Sequence, residues 1–374
     1  LLSVYSGGQI TRAIEFVSRS EQHKELNLTI LKEEGSLVEL EEHKNSSFIN
    51  LKPISSPLRS LKRMLWENIN LKEDFLESKS DIYLTFSHYL PKNLSKSCLS
   101  VVGVSNLAPF SSEAWDYESP MGKLRLFFLK RTILSSCRRA TRVLALSDTC
   151  KKILRDNGID QSKIFVASNG VSDFWKERSS EFNPKEFDLT EPYMLYVSHF
   201  YLYKNFKTLI LAYNRLPTDL RNKYALVLVG KPMDKKCAEE TINLIEKLDL
   251  QRNIKILPGP SSKKLRYLYQ NTELFIFASL IENSPNILLE AMKSNAPVLS
   301  TNLDPMPEFC KFSAEYFEAQ NYRELSSKIS YLLNHPNRRA ELRRLSGERA
   351  KEFSWDIFNK KITKELFLLK QTKE

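Results

Sequence analysis

Short runs of aliphatic, β-branched and aromatic residues alternate along the chain with stretches whose apolar positions recur at helical spacing. In the first half these runs predict strands near residues 1–4, 26–31, 48–52, 81–86, 100–105, 142–147 and 163–168. Helices are predicted between them over 8–20, 57–78, 123–136 and 149–156. The second half repeats the scheme, with strands at 194–198, 225–230, 254–257, 274–278 and 297–300. Its helices fall near 205–216, 236–248, 262–270 and 285–294, and two more near 334–352 and 354–370 are broken at Phe353-Ser354. Near-continuous apolar strands separated by helices predict parallel sheets covered on both faces. Two such series predict an α/β chain of two Rossmann-like, doubly wound domains. The charged, proline-containing stretch 175–192 lacks periodicity and marks the boundary. The expected domains are therefore 1–178 and 179–354, with a last helix, 355–374, returning to the first. Ligands of open α/β sheets bind beyond the carboxyl ends of the strands, so the site is expected in a cleft that the two domains face.

Composition narrows the class without naming a chemistry. A chain of 374 residues suits two domains, and 42% apolar with 27% charged residues excludes extensive disorder. No apolar run approaches the roughly 20 residues of a membrane span. The chain opens on Leu1 rather than Met, which leaves open a segment before it. Five scattered cysteines without a CxxC pair fit a reducing cytoplasm and no structural zinc site. Net charge is +11, and one stretch concentrates it: residues 121–142 hold seven basic side chains and no acid, interleaved with Leu124, Phe127, Phe128 and other apolar residues. A solvated helix face is one reading of this segment. Attraction to anionic phospholipid or a phosphorylated acceptor is the other. No nucleic-acid-binding module accompanies the charge.

The segment 278–292 carries the most chemistry. An apolar strand ends at Ala278, a polar loop follows, and a helix is predicted with Ser284 as N-cap and Pro285 in its first position. The next amides, on Asn286, Ile287 and Leu288, then form an anion site at the positive end of the helix dipole. Glu282 lies before the helix and Glu290 in its second turn, so two carboxylates bracket whatever the amides hold. A diphosphate flanked by a ribose and a hexose fits this layout; so does a well-capped helix with an incidental glutamate.

Glu282, seven residues, Glu290-Ala291-Met292, then Ala296-Pro297-Val298 and Pro307-Glu308, resembles the motif of the retaining GT-B glycosyltransferases of the large "glycosyl transferases group 1" family. The resemblance covers most of the chain and is most specific from about Ile164 to Trp355. Ser168-Asn169-Gly170-Val171 is similar to the family's end of the first domain. The segment from Tyr196 to Asn205 is similar to its donor-diphosphate loop, and Phe353-Ser354-Trp355 to its bend before the last helix. Gly7 and Gly8 stand where the family has a glycine loop. The resemblance implies that Lys204 is the cation on the donor phosphates, that Glu290 holds the ribose diol, and that Glu282 meets the transferred sugar. It places Asn286, Ile287 and the neighbouring amides on sugar and phosphate, and Leu257 and Pro258 beside the base. Two positions depart from the family pattern. His199 stands where an arginine is usual and is a weaker phosphate clamp. Asn106 stands where many members have a histidine after the fifth strand, and it cannot shuttle a proton. His88 is a candidate for the acceptor side, with Gly7, Gly8 and Asn106.

The implied reaction moves a hexose from a nucleotide-diphosphate sugar, a co-substrate rather than a cofactor, to a glycan or lipid-linked acceptor in surface polysaccharide or lipopolysaccharide synthesis, with retention and without a metal. Glu282, Lys204 and Asn106 are the expected catalytic residues. The expected place is the cytoplasm, with peripheral contact to an anionic membrane. Two alternatives stand beside it: a nucleotide-sugar epimerase of the same fold, and a non-catalytic nucleotide-sugar-binding scaffold favoured by His199 and Asn106.

Overall fold

The computed structural model describes residues 2–3, 8–23, 25–33, 46–51, 59–94, 98–178, 189 and 192–372. The chain divides into two units: Leu1–Phe110, Glu118–Asn169 and Trp355–Glu374 form the first, and Ser111–Tyr117 with Gly170–Ser354 the second.

The first unit is built on seven parallel strands in the order β3-β2-β1-β4-β5-β6-β7. These are β1 (Leu2–Ser3), β2 (Leu28–Glu33), β3 (Ser46–Leu51), β4 (Ile82–Thr85), β5 (Leu99–Val104), β6 (Arg142–Ala145) and β7 (Ile164–Val166). All seven were legible as apolar runs. One face of the sheet packs Ala13, Phe16 and Val17 of helix α1 (Gly8–Ser20) with Phe358, Ile362 and Leu366 of the last helix, α15 (Trp355–Gln371). Asn359 Nδ2 donates to the Phe16 carbonyl at 2.9 Å, tying the returning helix to α1. The predicted helix 57–78 is two helices, α2 (Arg59–Ile69) and α3 (Leu71–Glu77), parted at Asn70; positions 57 and 58 lie outside the described residues. The basic stretch forms α5 (Pro120–Arg139), N-capped by Ser119, whose hydroxyl accepts from the Gly122 amide. Its inner face, Leu126, Ile133 and Cys137, is buried in the unit.

The second unit holds six parallel strands in the order β10-β9-β8-β11-β12-β13. Strands β8 (Tyr193–Val197), β9 (Ala225–Val229), β10 (Ile254–Leu257), β11 (Leu274–Phe277) and β12 (Val298–Thr301) match predicted runs. The edge strand β13 (Ala314–Phe317) was not anticipated, because its polar Glu315 and short length hide it. The core of this unit runs from Val171 to Ala350 and gathers β8, β9, β11 and β12 with the helices on both faces.

The boundary differs from the sequence reading, which drew it after residue 178. The chain leaves the first unit between Asn169 and Gly170. The amide of Val171 donates to the Phe353 carbonyl at 3.1 Å, and Lys293 pairs with Asp173 at 2.5 Å. The Ser294 hydroxyl donates to the Trp175 carbonyl at 3.0 Å, so residues 171–175 belong energetically to the second unit. The short helix α4 (Ser112–Tyr117) also joins the second unit, where the Tyr117 hydroxyl accepts from Gln320 at 2.7 Å.

Candidate functional site

In the second sheet the strand order reverses between β8 and β11, which is where open α/β sheets open a crevice at their carboxyl ends. Two loops leave that point. Residues 198–205 follow β8, and residues 278–285 follow β11 and lead into α11 (Asn286–Lys293). The amide of Leu280 donates to the Tyr203 carbonyl at 2.9 Å and stitches the loops together. The Tyr196 hydroxyl donates to the Lys204 carbonyl at 2.6 Å, which fixes the backbone carrying the lysine. Asn205 completes the turn in left-handed conformation (φ 60°), buried, its Nδ2 without a hydrogen-bond partner among the described residues.

These constraints bring Lys204 Nζ to 2.5 Å from Glu282 Oε1, both side chains largely withdrawn from solvent. The sequence reading gave the two residues to phosphate and sugar separately; in the structure they hold each other. Lys204 Nζ also lies 5.1 Å from the centre of the Tyr203 ring. The tyrosine's own hydroxyl is pushed up, by burial first and by the charge of Glu282 second.

Helix α11 begins one residue later than predicted. Pro285 is its N-cap, in extended conformation and without a side-chain cap bond of its own; Ser284 lies before the cap. The amides of Asn286, Ile287 and Leu288 remain the opening turn, whose N–H groups have no partner within the helix itself. Glu290 stands in the second turn. The Tyr269 hydroxyl, from α10 (Ser262–Asn271), donates to Glu290 Oε2 at 3.4 Å. Burial pushes the Glu290 carboxyl up to about 8, partly offset by that hydrogen bond, so it is largely protonated at neutral pH.

On the other side of β8, the Lys231 amide donates to His199 Nδ1 at 3.2 Å. Accepting at Nδ1 puts the neutral ring's proton on Nε2. Burial, then the charges of Lys231 and Lys204, lower the His199 pKa, so the ring is neutral at pH 7. Gly230 is required at this point: a Cβ on it would lie 1.9 Å from the Ser198 carbonyl oxygen. Its amide donates to the Leu257 carbonyl at 3.0 Å, linking the β8 and β9 ends to β10, where Leu257 is buried and Pro258 exposed. Gly259, at φ 76°, faces the Lys231 side chain. The second unit therefore gathers His199, Lys204, Glu282 and the start of α11 around one strand-order switch, with Glu290 one turn further along the helix and Leu257-Pro258 at the end of β10. Lys231, Tyr203 and Tyr269 were missed. Gly230-Lys231 directly after an apolar strand was the signal for the first; nothing in the sequence marks the tyrosines, since Glu282 beside Tyr203 and Glu290 beside Tyr269 are distant in the chain.

The acceptor-side candidates sit in the first unit. Gly7 lies outside the described residues, and Gly8 opens α1. His88 follows β4; burial lowers its imidazole to about 4, and its Nδ1 is buried without a hydrogen-bond partner among the described residues. Asn106 follows β5 and uses its Oδ1 locally, accepting from the Ala108 amide at 2.9 Å. An amide side chain can donate through Nδ2 but is not a base. Among the described residues no group of three His, Cys, Asp or Glu is placed to hold a metal ion.

Residues 177–352, nearly the whole second unit, match the family described as "Glycosyl transferases group 1". The serotype-specific mannosyltransferase WbdA of Escherichia coli is 26% identical over 239 residues, 62% of this chain and 29% of that protein, so the chain spans less than a third of that relative. The O-antigen chain mannosyltransferase B of Escherichia coli is 25% identical over 74% of this chain and 72% of its own length. The sucrose-phosphate synthase of Thermosynechococcus elongatus superposes with a TM-score of 0.80 at 14% identity, covering 99% of both chains, a likeness of fold. Match, fold and strand-end geometry agree: residues 177–352 form a domain of the glycosyl transferases group 1 family, carried on a chain of the GT-B fold.

Proposed function

We propose that the protein transfers a hexosyl group from a nucleotide-diphosphate sugar to a glycan or lipid-linked acceptor, with retention at the anomeric carbon and without a metal. The observation that carries this reading is the Lys204–Glu282 pair set beside the opening turn of α11, with Glu290 one turn further along. Lys204, the first amides of α11 and a hydrogen bond from His199 supply charge stabilisation for a departing diphosphate, usually the largest catalytic contribution. Glu282, released from Lys204 when phosphate takes the cation, accepts from hydroxyls of the sugar. Glu290, with Tyr269 beside it, takes the ribose diol. The anomeric C–O bond to phosphate breaks with its electron pair going to the diphosphate. A C–O bond to the acceptor forms on the same face, and the acceptor proton passes to a phosphate oxygen. Asn106 and His88 belong to the acceptor side, Asn106 donating a hydrogen bond and the neutral His88 contributing no cation. The mannosyltransferase relatives support a hexose donor and an acceptor in surface polysaccharide or lipopolysaccharide synthesis. The acid-free basic helix α5 supports a site reached from the cytoplasmic side at an anionic membrane.

The deciding experiment is a panel of nucleotide sugars scored by thermal stabilisation, then by product analysis with saccharide and lipid-linked acceptors. A stabilising donor whose sugar appears on an acceptor with its anomeric configuration kept, at a rate indifferent to EDTA, supports the reading. Isomerised donor in the absence of acceptor makes the protein an epimerase. Binding without any turnover makes it a scaffold, the alternative that the histidine at 199 favours.

A further inference from the structure

Helix α5 is held on one side and open on the other. Its inner residues, Leu126, Ile133 and Cys137, are buried in the first unit, so the helix is fixed as a rigid rod. Its outer face carries four large apolar side chains within two turns: Met121 is 74% exposed, Leu124 49%, Phe127 42% and Phe128 59%. Leaving one such side chain in water is ordinary; four together form a patch that marks an interaction surface. The rings are positioned: Phe127 and Phe128 meet edge to face at 5.6 Å, and the Arg131 guanidinium lies 4.6 Å over Phe127. Lys123, Arg125 and Arg131 are exposed beside the patch, and α5 itself contains no acidic residue. The nearest acid, Glu118, sits before the helix and pairs with Arg125 at 2.9 Å.

We infer that this face of α5 is a docking surface for an anionic phospholipid bilayer, its phenylalanine, leucine and methionine side chains entering the acyl boundary while the basic residues meet the headgroups. Charge selects this occupant. A second copy of the chain on a two-fold interface would set Lys123, Arg125 and Arg131 against their own like charges. A bilayer carrying acidic headgroups complements them, and aromatic and aliphatic residues on one helix face flanked by lysine and arginine are what an interfacial helix presents. The inference deepens the reading of a lipid-linked or membrane-proximal acceptor and rests on it for its purpose, though not for its test.

The full chain is sedimented with vesicles of phosphatidylethanolamine and phosphatidylglycerol, and with vesicles of phosphatidylcholine. The parent is expected to bind the first and not the second, and to release in high salt. The Phe127→Ser/Phe128→Ser chain is expected to bind anionic vesicles about tenfold more weakly or worse, from the apolar area no longer buried. Lys123→Gln/Arg131→Gln is expected to weaken binding about fivefold per residue. UDP and GDP binding and far-ultraviolet dichroism, unchanged in both variants, verify that they are folded. A parent that stays in solution with anionic vesicles, or a serine variant that binds them as well as the parent, overturns the inference. So does a dimer of the parent in size-exclusion chromatography that the serine variant dissolves, which assigns the face to a second copy. Vesicle binding without any nucleotide affinity would sink the transferase reading and leave the docking surface standing.

Discussion

Lys204 and Glu282 spend their charges on each other at 2.5 Å, so a diphosphate has to take the lysine from the carboxylate before it is stabilised. Lys204→Ala removes the cation from the developing charge and is expected to lower turnover at saturating donor by about a hundredfold or more. A rate within twofold of the parent's would take the phosphate away from Lys204. Glu290 makes a different prediction, because its carboxyl sits at about 8. To accept hydrogen bonds from a ribose diol as a carboxylate it has to lose its proton, so binding is coupled to proton release. The sign follows: affinity for a nucleoside diphosphate rises from pH 7 through 8 and levels off above. The window excludes the terminal phosphate, which ionises near pH 6, and His199, whose pKa is lowered. Calorimetry in buffers of different ionisation enthalpy reads the proton directly. Glu290→Gln should bind without a pH slope, and Glu290→Ala should lose about 1.5–3 kcal/mol of affinity at pH 8. A parent with flat affinity from pH 7 to 9 would mean that Glu290 is not the ribose contact.

At the scale of elements, the site depends on how tightly strand ends approach one another. Gly230 closes the gap between β8 and β9, where a methyl group would lie 1.9 Å from the Ser198 carbonyl. Neither backbone segment yields easily, since Ser198 N and Gly230 N are both bonded to neighbouring strand ends. Gly230→Ala is therefore expected to destabilise the protein by roughly 1–3 kcal/mol in denaturant melts and to displace His199 with its partner Lys231. Unchanged stability would show that the loop adapts. Much of this arrangement was legible in the sequence. Apolar runs such as 194–198 and 274–278 have the length and composition of buried strands, and a helix opening at about Pro285 follows from proline's missing N–H. What escaped was of two kinds. Short, half-polar β13 has too weak a pattern to compete with loop composition. Tyr269 against Glu290 joins residues on neighbouring helices, and Lys231 against His199 joins the ends of two strands; such contacts are products of sheet order, which local pattern does not specify. The cap at Pro285 rather than Ser284 is a third kind, decided by backbone dihedrals that allow either residue.

Over the whole molecule, the chain passes between two separately packed units at Phe110-Ser111, Tyr117-Glu118, Asn169-Gly170 and Ser354-Trp355. The crossing at Asn169-Gly170 is anchored by a buried cation. Arg12 donates to Asn169 Oδ1 at 3.3 Å, and burial lowers the guanidinium to about 10. Every residue assigned to the donor (His199, Lys204, Leu257, Pro258, Glu282, Ser284, Asn286, Ile287 and Glu290) comes from the second unit. Affinity for the nucleotide portion should then be written into that unit's local stability. At a hundred times its Kd a nucleoside diphosphate adds about 2.7 kcal/mol to whatever opening it opposes. Hydrogen exchange on the intact chain should show slowed amides in residues 198–205, 230–231 and 279–290, because opening these loops dissolves the site. Exchange in α5 should be unchanged, since its face meets no nucleotide. Protection confined to the loops around His88 and Asn106, with none at 198–205, would move the donor to the first unit and leave the α11 turn a capped helix with an incidental glutamate.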